Sequence, residues 1–592
     1  MKFAFVNDLA QHLSSTCGVP VADVPVGTCP AEFAGDLTVS GFLLARALRR
    51  SPVQIAEMVG AFLRGHPDIQ AVQVVKAFAN LTLTPAALMR DTVSRPQELL
   101  GQVALPEGQR RRVLIEFSAP NTNKPQHLGH VRNNSIGMAT AAVLERVGHQ
   151  VVRVNLINDR GIHICKSMLA YQRHGQGETP ESSGKKGDRL VGDYYVRFDA
   201  EYRHQLAELC RQRPDLADKA ADDLFLETEL GRAAQDMLLA WEKGDAEVRR
   251  LWETMNGWVL AGFAETYRRL GVCFDRTYLE SQTYTLGRDL IHEGLARGVF
   301  RRREDGAIVI DFADKSLGTK VVLRSDGTSV YVTQDIGTTL LKQRDYEPDQ
   351  QIWVVGDEQI HHFRILFAIL KALGYGWADR LVHMAYGMVN LPTGRMKSRE
   401  GTVVDADDLV DEMERLARAA TLERASEGAP ENLDERARVI GMAALKFMLL
   451  KVSPKTTIMF DPQASVTFEG DTGPYVLYAY ARLCSMLRKA GSLSAEPVDW
   501  SALGAPEERA LALRCAQYPE TVQAAAAALD TSVLACFLLD LSKDVSRFWR
   551  SCPVLSAPTP AERHARLALS VLVREILRDG LSALTIGTLE SM

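Results

Sequence analysis

Cysteine is sparse and scattered in this 592-residue chain. The nine thiols, an odd number, stand at Cys17, Cys29, Cys165, Cys210, Cys273, Cys484, Cys515, Cys536 and Cys552. No two form a C-x-x-C pair, which argues against a zinc site and for free thiols in a reducing cytoplasm. Long apolar runs are missing too: no stretch approaches the roughly eighteen apolar residues of a membrane span. Residues 1–15, MKFAFVNDLAQHLSS, carry one early lysine and an apolar patch broken by Asn7 and Asp8. That makes a poor signal peptide and a reasonable first amphipathic helix. Internal repeats and low-complexity tracts are absent. So is a basic excess: 69 Lys and Arg against 74 Asp and Glu give a net charge of −5. That balance offers nucleic acid no global attraction, yet leaves local basic surfaces able to take phosphate.

What the chain does have is bulk and ordinary chemistry. At 46% apolar and 24% charged residues, it should hold roughly three or four domains, each with its own core. Residues 1–105 read as a small α+β unit. Gly41 to Gly65 contains two amphipathic helical segments parted at Ser51-Pro52, where proline suits a first helical turn. Val72–Val75 and Ala79–Leu83 suit paired strands. Arg46, Arg49 and Arg50 cluster on one helix, consistent with either a solvated face or an RNA contact. Pro106 to Arg112 is a linker.

A short apolar strand over Val113–Phe117 opens the next unit. A polar, proline-punctuated loop follows, then His127-Leu128-Gly129-His130 at the mouth of a long helix, then a strand over Val151–Asp159. This order predicts a parallel βαβ unit with a right-handed crossover, whose loops at the strands' carboxyl ends face a ligand crevice. A helix N-terminus offers unpaired N–H groups and a positive dipole end to phosphate, and the histidines add donors. The bland alternative is a capped helix start with hydrogen-bonded imidazoles. Residues 185–270 turn charged and helical, an insertion between two halves of the sheet. Strands return at Ala307–Phe312, Lys320–Arg324 and Ser329–Val332, with Ser325-Asp326-Gly327 as a hairpin turn. A second βαβ unit spans strand Gln351–Val355, helix Ile360–Leu373 and strand Leu381–Val389, delivering the loop from Pro392 to Gly401. From about Asp405 onward the pattern is helical. Tyr475, Tyr478, Ala479 and Arg482 share one helical face, a stripe whose spacing suits core better than base stacking.

Together these features resemble class I aminoacyl-tRNA synthetases and, in detail, the arginyl-tRNA synthetases. The resemblance is carried by Glu116-Phe117-Ser118-Ala119-Pro120-Asn121, Lys124-Pro125 and His127 to His130. Further matches are Tyr331-Val332-Thr333-Gln334-Asp335, Val354-Val355-Gly356 through Gln359 to His362-Phe363, and Thr472-Gly473-Pro474-Tyr475. It runs from about Val113 to Met592, and more weakly through the N-terminal unit. It implies an α/β fold: a Rossmann-type parallel-sheet catalytic domain over 106–425 with a helical insertion at about 185–270. A small α+β domain over 1–105, reaching the tRNA elbow, would precede it, and an all-α anticodon-binding domain over 426–592 would follow. The implied protein is a cytoplasmic, monomeric arginine–tRNA ligase. Its substrates would be ATP with Mg2+, L-arginine and tRNA(Arg), with no protein-bound metal or organic cofactor, no DNA and no membrane partner. Two other readings compete: another H-x-G-H nucleotidyltransferase, generally a much shorter protein, and a synthetase-like tRNA-binding protein without charging activity.

By the same resemblance His127 and His130 stabilise phosphate charge, and Gly129 leaves room for adenine. The second nucleotide loop reads Arg395-Met396-Lys397-Ser398-Arg399 where the usual class I motif is Lys-Met-Ser-Lys-Ser. Met396, Lys397 and Ser398 would touch nucleotide, while Lys124 supplies the missing ammonium at the α-phosphate. Arginine binding falls to Glu116, Ser118, Asn121, Tyr331, Asp335 and Gln359, with Asp335 as the guanidinium carboxylate. Read singly, Asp335 also suits a helix N-cap and Tyr331 a half-buried strand. The chain departs from the family at Asn158-Asp159-Arg160-Gly161-Ile162-His163, where Arg160 and His163 replace an aromatic residue and a glutamine; Asp159 should still lie near the active site. Lys76-Ala77-Phe78-Ala79-Asn80 likewise replaces a glycine-rich ending of the N-terminal domain. Lys124→Ala is expected to lose adenylate formation far more than arginine affinity. A pyrophosphate-exchange rate within severalfold of wild type would remove that role from Lys124.

Overall fold

Five parallel strands carry the centre of the fold: β1 (Arg112–Glu116), β2 (Gln150–Ile157), β3 (Arg276–Leu279), β4 (Gln350–Gly356) and β5 (Leu381–Tyr386). The structure is a computed structural model that describes residues 3–30, 32–216, 218–392, 404–424, 430–491 and 496–592. The strand order is β5-β4-β1-β2-β3, with every pairing parallel. The chain builds outward from β1 through β2 to β3, then returns to the other side of β1 to lay down β4 and β5. A crevice opens where the order reverses, between the carboxyl ends of β1 and β4. Val113, Leu114 and Ile115 are fully buried, as a strand covered on both faces requires.

The crossover from β1 to β2 is helix α1 (Leu128–Arg146), buried on nearly every side. Its buried set includes Arg132, Asn133, Asn134 and Ser135, so a polar stripe runs through the middle of the molecule. Between β2 and β3 lie the helices Ile162–His174, Gly187–Gln212, Glu229–Lys243 and Ala246–Leu270. The last three make up the helical insertion expected at 185–270. Strand β3 escapes a sequence reading because Arg276-Thr277-Tyr278-Leu279 is short and half polar.

One expected strand is absent. Ile308–Asp311 and Thr319–Leu323 pair antiparallel as predicted, but Ser329–Val332 forms no strand beyond a single bridge from Ser329 to Leu323. Val330 is instead the extended N-cap of helix α2 (Tyr331–Tyr346). Its run of β-branched and aromatic residues imitates a strand, but Thr333 folds it into a first turn, its N–H donating to the Val330 carbonyl oxygen at 3.0 Å. The Thr333 hydroxyl donates back to the Val322 carbonyl oxygen. The second βαβ unit is present, with helix α3 (Ile360–Ala372) between β4 and β5, but its last strand ends at Tyr386 and not at the expected Val389, which joins a separate two-stranded pairing.

The N-terminal unit is a four-stranded antiparallel sheet with helices parted at Ser51, whose side chain forms a capping box with Gln54. The C-terminal part is helical apart from Ile458–Met459, which pairs in parallel with Val389–Asn390. Its aromatic stripe lies at the edge of the core, with Tyr475 and Tyr478 half-buried and Arg482 exposed: Tyr475 Oη lies 3.0 Å from Ser546 Oγ, and the Arg482 guanidinium stacks 4.2 Å from the Trp549 ring. The two ends of the chain also touch. Arg509 Nε donates to Asp36 at 2.7 Å, and Gln523 donates to the Gln102 carbonyl oxygen at 2.9 Å. At the carboxyl end of α1, Arg146 Nε donates to Asp579 at 2.8 Å.

Arg132 joins these layers. Its fully buried guanidinium donates to the carbonyl oxygens of Gly387 and Met388, after β5, at 2.5 and 2.7 Å. It also reaches the Pro454 and Thr456 carbonyl oxygens at 3.1 and 2.6 Å. Four carbonyl dipoles face this charge, with no carboxylate bonded to the guanidinium among the described residues. Arg132→Met would strand those acceptors, and calorimetry should show a destabilisation of about 3 kcal/mol or more. A melting point within a degree of wild type would contradict that role.

Candidate active site

The crevice is walled on one side by the loop after β1, which is held in strained backbone. Ser118 and Ala119 both adopt positive φ, 76° and 45°, a conformation costly for side-chain-bearing residues and concentrated at functional sites. Three polar residues hold it there. Asn133 accepts the Ser118 N–H at 2.6 Å and donates to the Val354 carbonyl oxygen at 2.7 Å. Asn155 accepts the Ala119 N–H at 3.0 Å, and Tyr267, from the insertion, shares a 2.7 Å hydrogen bond with the Ser118 hydroxyl. Farther along, Thr122 N–H donates to the Asn158 carbonyl oxygen at 3.0 Å, tying the loop to the end of β2. The insertion helix Gly187–Gln212 then packs against Lys124-Pro125 through Gly192, where a Cβ would stand 2.8 Å from the Pro125 ring.

His127 and His130 are both neutral caps of α1. His130 Nδ1 accepts the His127 N–H at 3.2 Å, and His127 Nδ1 accepts the Gly129 N–H at 3.1 Å. A neutral imidazole that accepts at Nδ1 carries its proton on Nε2, so each ring keeps one N–H donor for a ligand. Burial, reinforced by the nearby Lys124 charge, pushes His127 down to about 4. Burial, His127 and Lys124 hold His130 well below its ordinary range. The helix start is therefore less open to phosphate than its sequence suggests. The Leu128 N–H is taken by the Val404 carbonyl oxygen at 3.0 Å, and that of Gly129 by His127. The room that Gly129 leaves is filled by the His127 ring, which a Cβ would meet at 2.8 Å. The Ala406 N–H in turn donates to the Gln126 carbonyl oxygen at 2.8 Å, so Val404 to Ala406 lie beside the first motif. Met396, Lys397 and Ser398, with Arg395 and Arg399, lie outside the described residues.

The opposite wall is acidic. Asp335 lies one turn into α2, not at its N-cap, and sits 2.6 Å from His362 Nε2. The carboxylate raises the imidazole above its usual value. Tyr331 stands one turn away, 77% exposed at the helix start. The turn Glu280–Thr283 after β3 is brought against this helix by two glycines. A Cβ on Gly287 would stand 1.8 Å from the Thr333 carbonyl oxygen, and one on Gly337 2.5 Å from Gly287 N. Glu280 thus joins Asp335 and the buried Asp159. Burial lifts the Glu280 carboxyl to about 7, with Arg160 opposing and Asp159 and Asp335 adding to the rise. Asp159 itself is fixed, accepting from Ser281 N–H at 2.8 Å and Ser281 Oγ at 2.6 Å.

The remaining expected residues divide by environment. Glu116 is buried, one carboxylate oxygen 2.5 Å from the buried Lys342 ammonium. Ser118 is buried against Tyr267. Asn121 and Gln359 are exposed at the crevice loops. His163 meets the Tyr195 hydroxyl at 3.1 Å. Glu280 has no local sequence signal: an acid after a short, half-polar strand becomes notable only once the sheet places it beside Asp335. Among the described residues, no three His, Cys, Asp or Glu side chains group as a metal site.

A strained loop after the first strand, a neutral histidine pair at the next helix and an acidic wall at the sheet's reversal point define the class I synthetase arrangement. The family described as tRNA synthetases class I (R), catalytic domain, matches residues 96–461. Arginyl tRNA synthetase N terminal domain matches 5–83, and DALR anticodon binding domain matches 476–592. An arginine–tRNA ligase of Bacteroides thetaiotaomicron is 44% identical over 96% of this chain and 95% of its own length. One from Parabacteroides distasonis is 42% identical over 97% and 96%. The solved Thermus thermophilus arginyl-tRNA synthetase superposes with a TM-score of 0.79 at 29% identity, covering 100% of this chain and 99% of that one. The chain belongs to the arginyl-tRNA synthetase family.

The histidine pair generates a direct test. Ring-nitrogen NMR should find His127 neutral, protonated on Nε2, from alkaline pH down to about 5. A titration of His127 near the ordinary histidine value would contradict the capping geometry.

Proposed function

We propose that this chain activates L-arginine with ATP and transfers it to the 3′-terminal adenosine of tRNA(Arg). The observation that carries this reading is one crevice with two faces, neutral histidines and Lys124 on the first, Glu280 and Asp335 on the second. The arginine carboxylate attacks the α-phosphorus of ATP; the bond to the β-phosphate's bridging oxygen breaks and pyrophosphate leaves. The 2′-hydroxyl of the terminal adenosine then attacks the arginyl carbonyl, its proton is lost, and AMP departs. Neither step needs a protein nucleophile. The enzyme's work is alignment and stabilisation of charge on phosphate oxygens, which suits Nε2–H donors and the Lys124 ammonium. Gly129, Met396, Lys397 and Ser398 complete the nucleotide side of the proposal.

On the other face, the guanidinium requires planar anionic acceptors. Asp335 and Glu280 supply them, beside Tyr331. The α-ammonium then falls near Glu116, Asn121 and Gln359, with Ser118 and Tyr267 shaping the wall. Mg2+ would accompany the ATP phosphates. The domain division 1–105, 106–425 and 426–592 belongs to this reading: elbow contacts at the N-terminal domain, anticodon contacts at the C-terminal helices. A monomer in the cytoplasm fits it; no helix among the described residues is long and apolar enough to cross a membrane.

Charging assays on total tRNA with arginine, lysine and canavanine test the whole proposal. Arginyl-tRNA should form, and lysine should not be charged. Asp335→Asn should raise the arginine KM by about a hundredfold, the loss of a charged acceptor. A near-normal KM would remove Asp335 from the pocket, and failure to charge arginine would end the proposal.

A further inference from the structure

We propose that Arg160 is a positioning residue for arginine selection, clamping the turn that carries Glu280 and setting a fixed positive charge among the acids of that corner. The inference rests on the reading of Glu280 as a guanidinium acceptor and adds what makes that role possible.

Two consecutive residues at the end of β2 grip the Glu280 turn. Asp159 binds Ser281 through both its backbone N–H and its hydroxyl. Arg160 stacks on Tyr284, guanidinium carbon 4.0 Å from the ring centroid, and lies 5.4 Å from that of Trp241. One nitrogen of its fork reaches Glu242 at 2.5 Å. Trp252 donates to the Asp159 carbonyl oxygen at 2.6 Å, anchoring the same corner to the insertion. The Arg160 side chain is only 9% exposed, and its Nε is buried without a partner among the described residues. Planar stacking on aromatic rings is what a guanidinium does and an ammonium does poorly.

The charge matters because the corner is crowded with acids. Glu280 faces Asp159, just after β2, and Asp335 from α2, the latter bonded to His362 of α3. Arg160, shared with Glu242, is the cation set against them. Only an ionised carboxylate accepts both bonds of a guanidinium fork; a protonated acid presents a donor instead. With the Glu280 carboxyl lifted to about 7 by burial and its acidic neighbours, and held from rising further by Arg160, loss of Arg160 would leave it protonated at working pH.

The test is the arginine KM in tRNA charging, measured on the full chain from about pH 5.5 to about pH 9. In the wild type KM should rise as pH falls through about 7, and this component should vanish in Glu280→Gln. Arg160→Met should move the inflection up by roughly one pH unit, with KM returning to the wild-type value at the alkaline end. Glu242→Gln frees the Arg160 charge and should move the inflection down, a sign that does not depend on Arg160→Met folding. An unmoved inflection in both variants overturns the inference. So does an Arg160→Met KM raised equally at every pH, the mark of a structural lesion alone. A wild-type profile without the Glu280 component overturns the pocket reading itself, and with it this inference.

Discussion

Asn133 accepts the Ser118 N–H and donates to the Val354 carbonyl oxygen, so one buried side chain of α1 spans the gap where the strand order reverses. Parallel sheets leave that gap open as a matter of topology. Here it is bridged by an amide that can serve a donor and an acceptor at once. The positive φ values at Ser118 and Ala119 persist because Asn133, Asn155 and Tyr267 over-determine them, each from a different element. Were this bridge lost, the loop could relax, and the Lys124 and His127 positions downstream would relax with it.

The two faces of the crevice use opposite electrostatic strategies. On the α1 side the two histidines are kept neutral by burial, so their Nε2–H donors carry no charge of their own. On the acidic side burial lifts Glu280 to about 7, opposed by Arg160 and reinforced by repulsion from Asp159 and Asp335. Arg160 sets how much of that repulsion the carboxylates bear as charge and how much is relieved by a proton.

The stretch from Glu116 to His130 could be read from sequence because its chemistry is contiguous: strand, loop and helix cap follow each other along the chain. The two βαβ units and the helical insertion were legible for the same reason, as was the break at Ser51-Pro52. The acidic wall was only half legible. Tyr331 and Asp335 sit on one turn of helix, whereas Glu280 arrives through β3 and the close approach of Gly287 to α2, neither of which leaves a local pattern. Ser329–Val332 imitated a strand because β-branched residues favour extended backbone, and tertiary packing overrode that preference. Arg160 was visible as a departure, but its meaning depended on Tyr284 and Glu242, 124 and 82 positions away.

Helix α1 has one further property. Its first residues carry the histidine cap, and its last, Arg146, is bonded to Asp579 in the final helix of the chain. Nineteen residues of uninterrupted helix make a strut about 28 Å long, sheathed along its length by core. Such a strut has no hinge at which displacement can be absorbed. A tilt of the C-terminal helices would therefore arrive at the capping imidazoles as a lever arm delivers it, making the ionised pair at the far end a mechanical linkage as much as a stabilising contact.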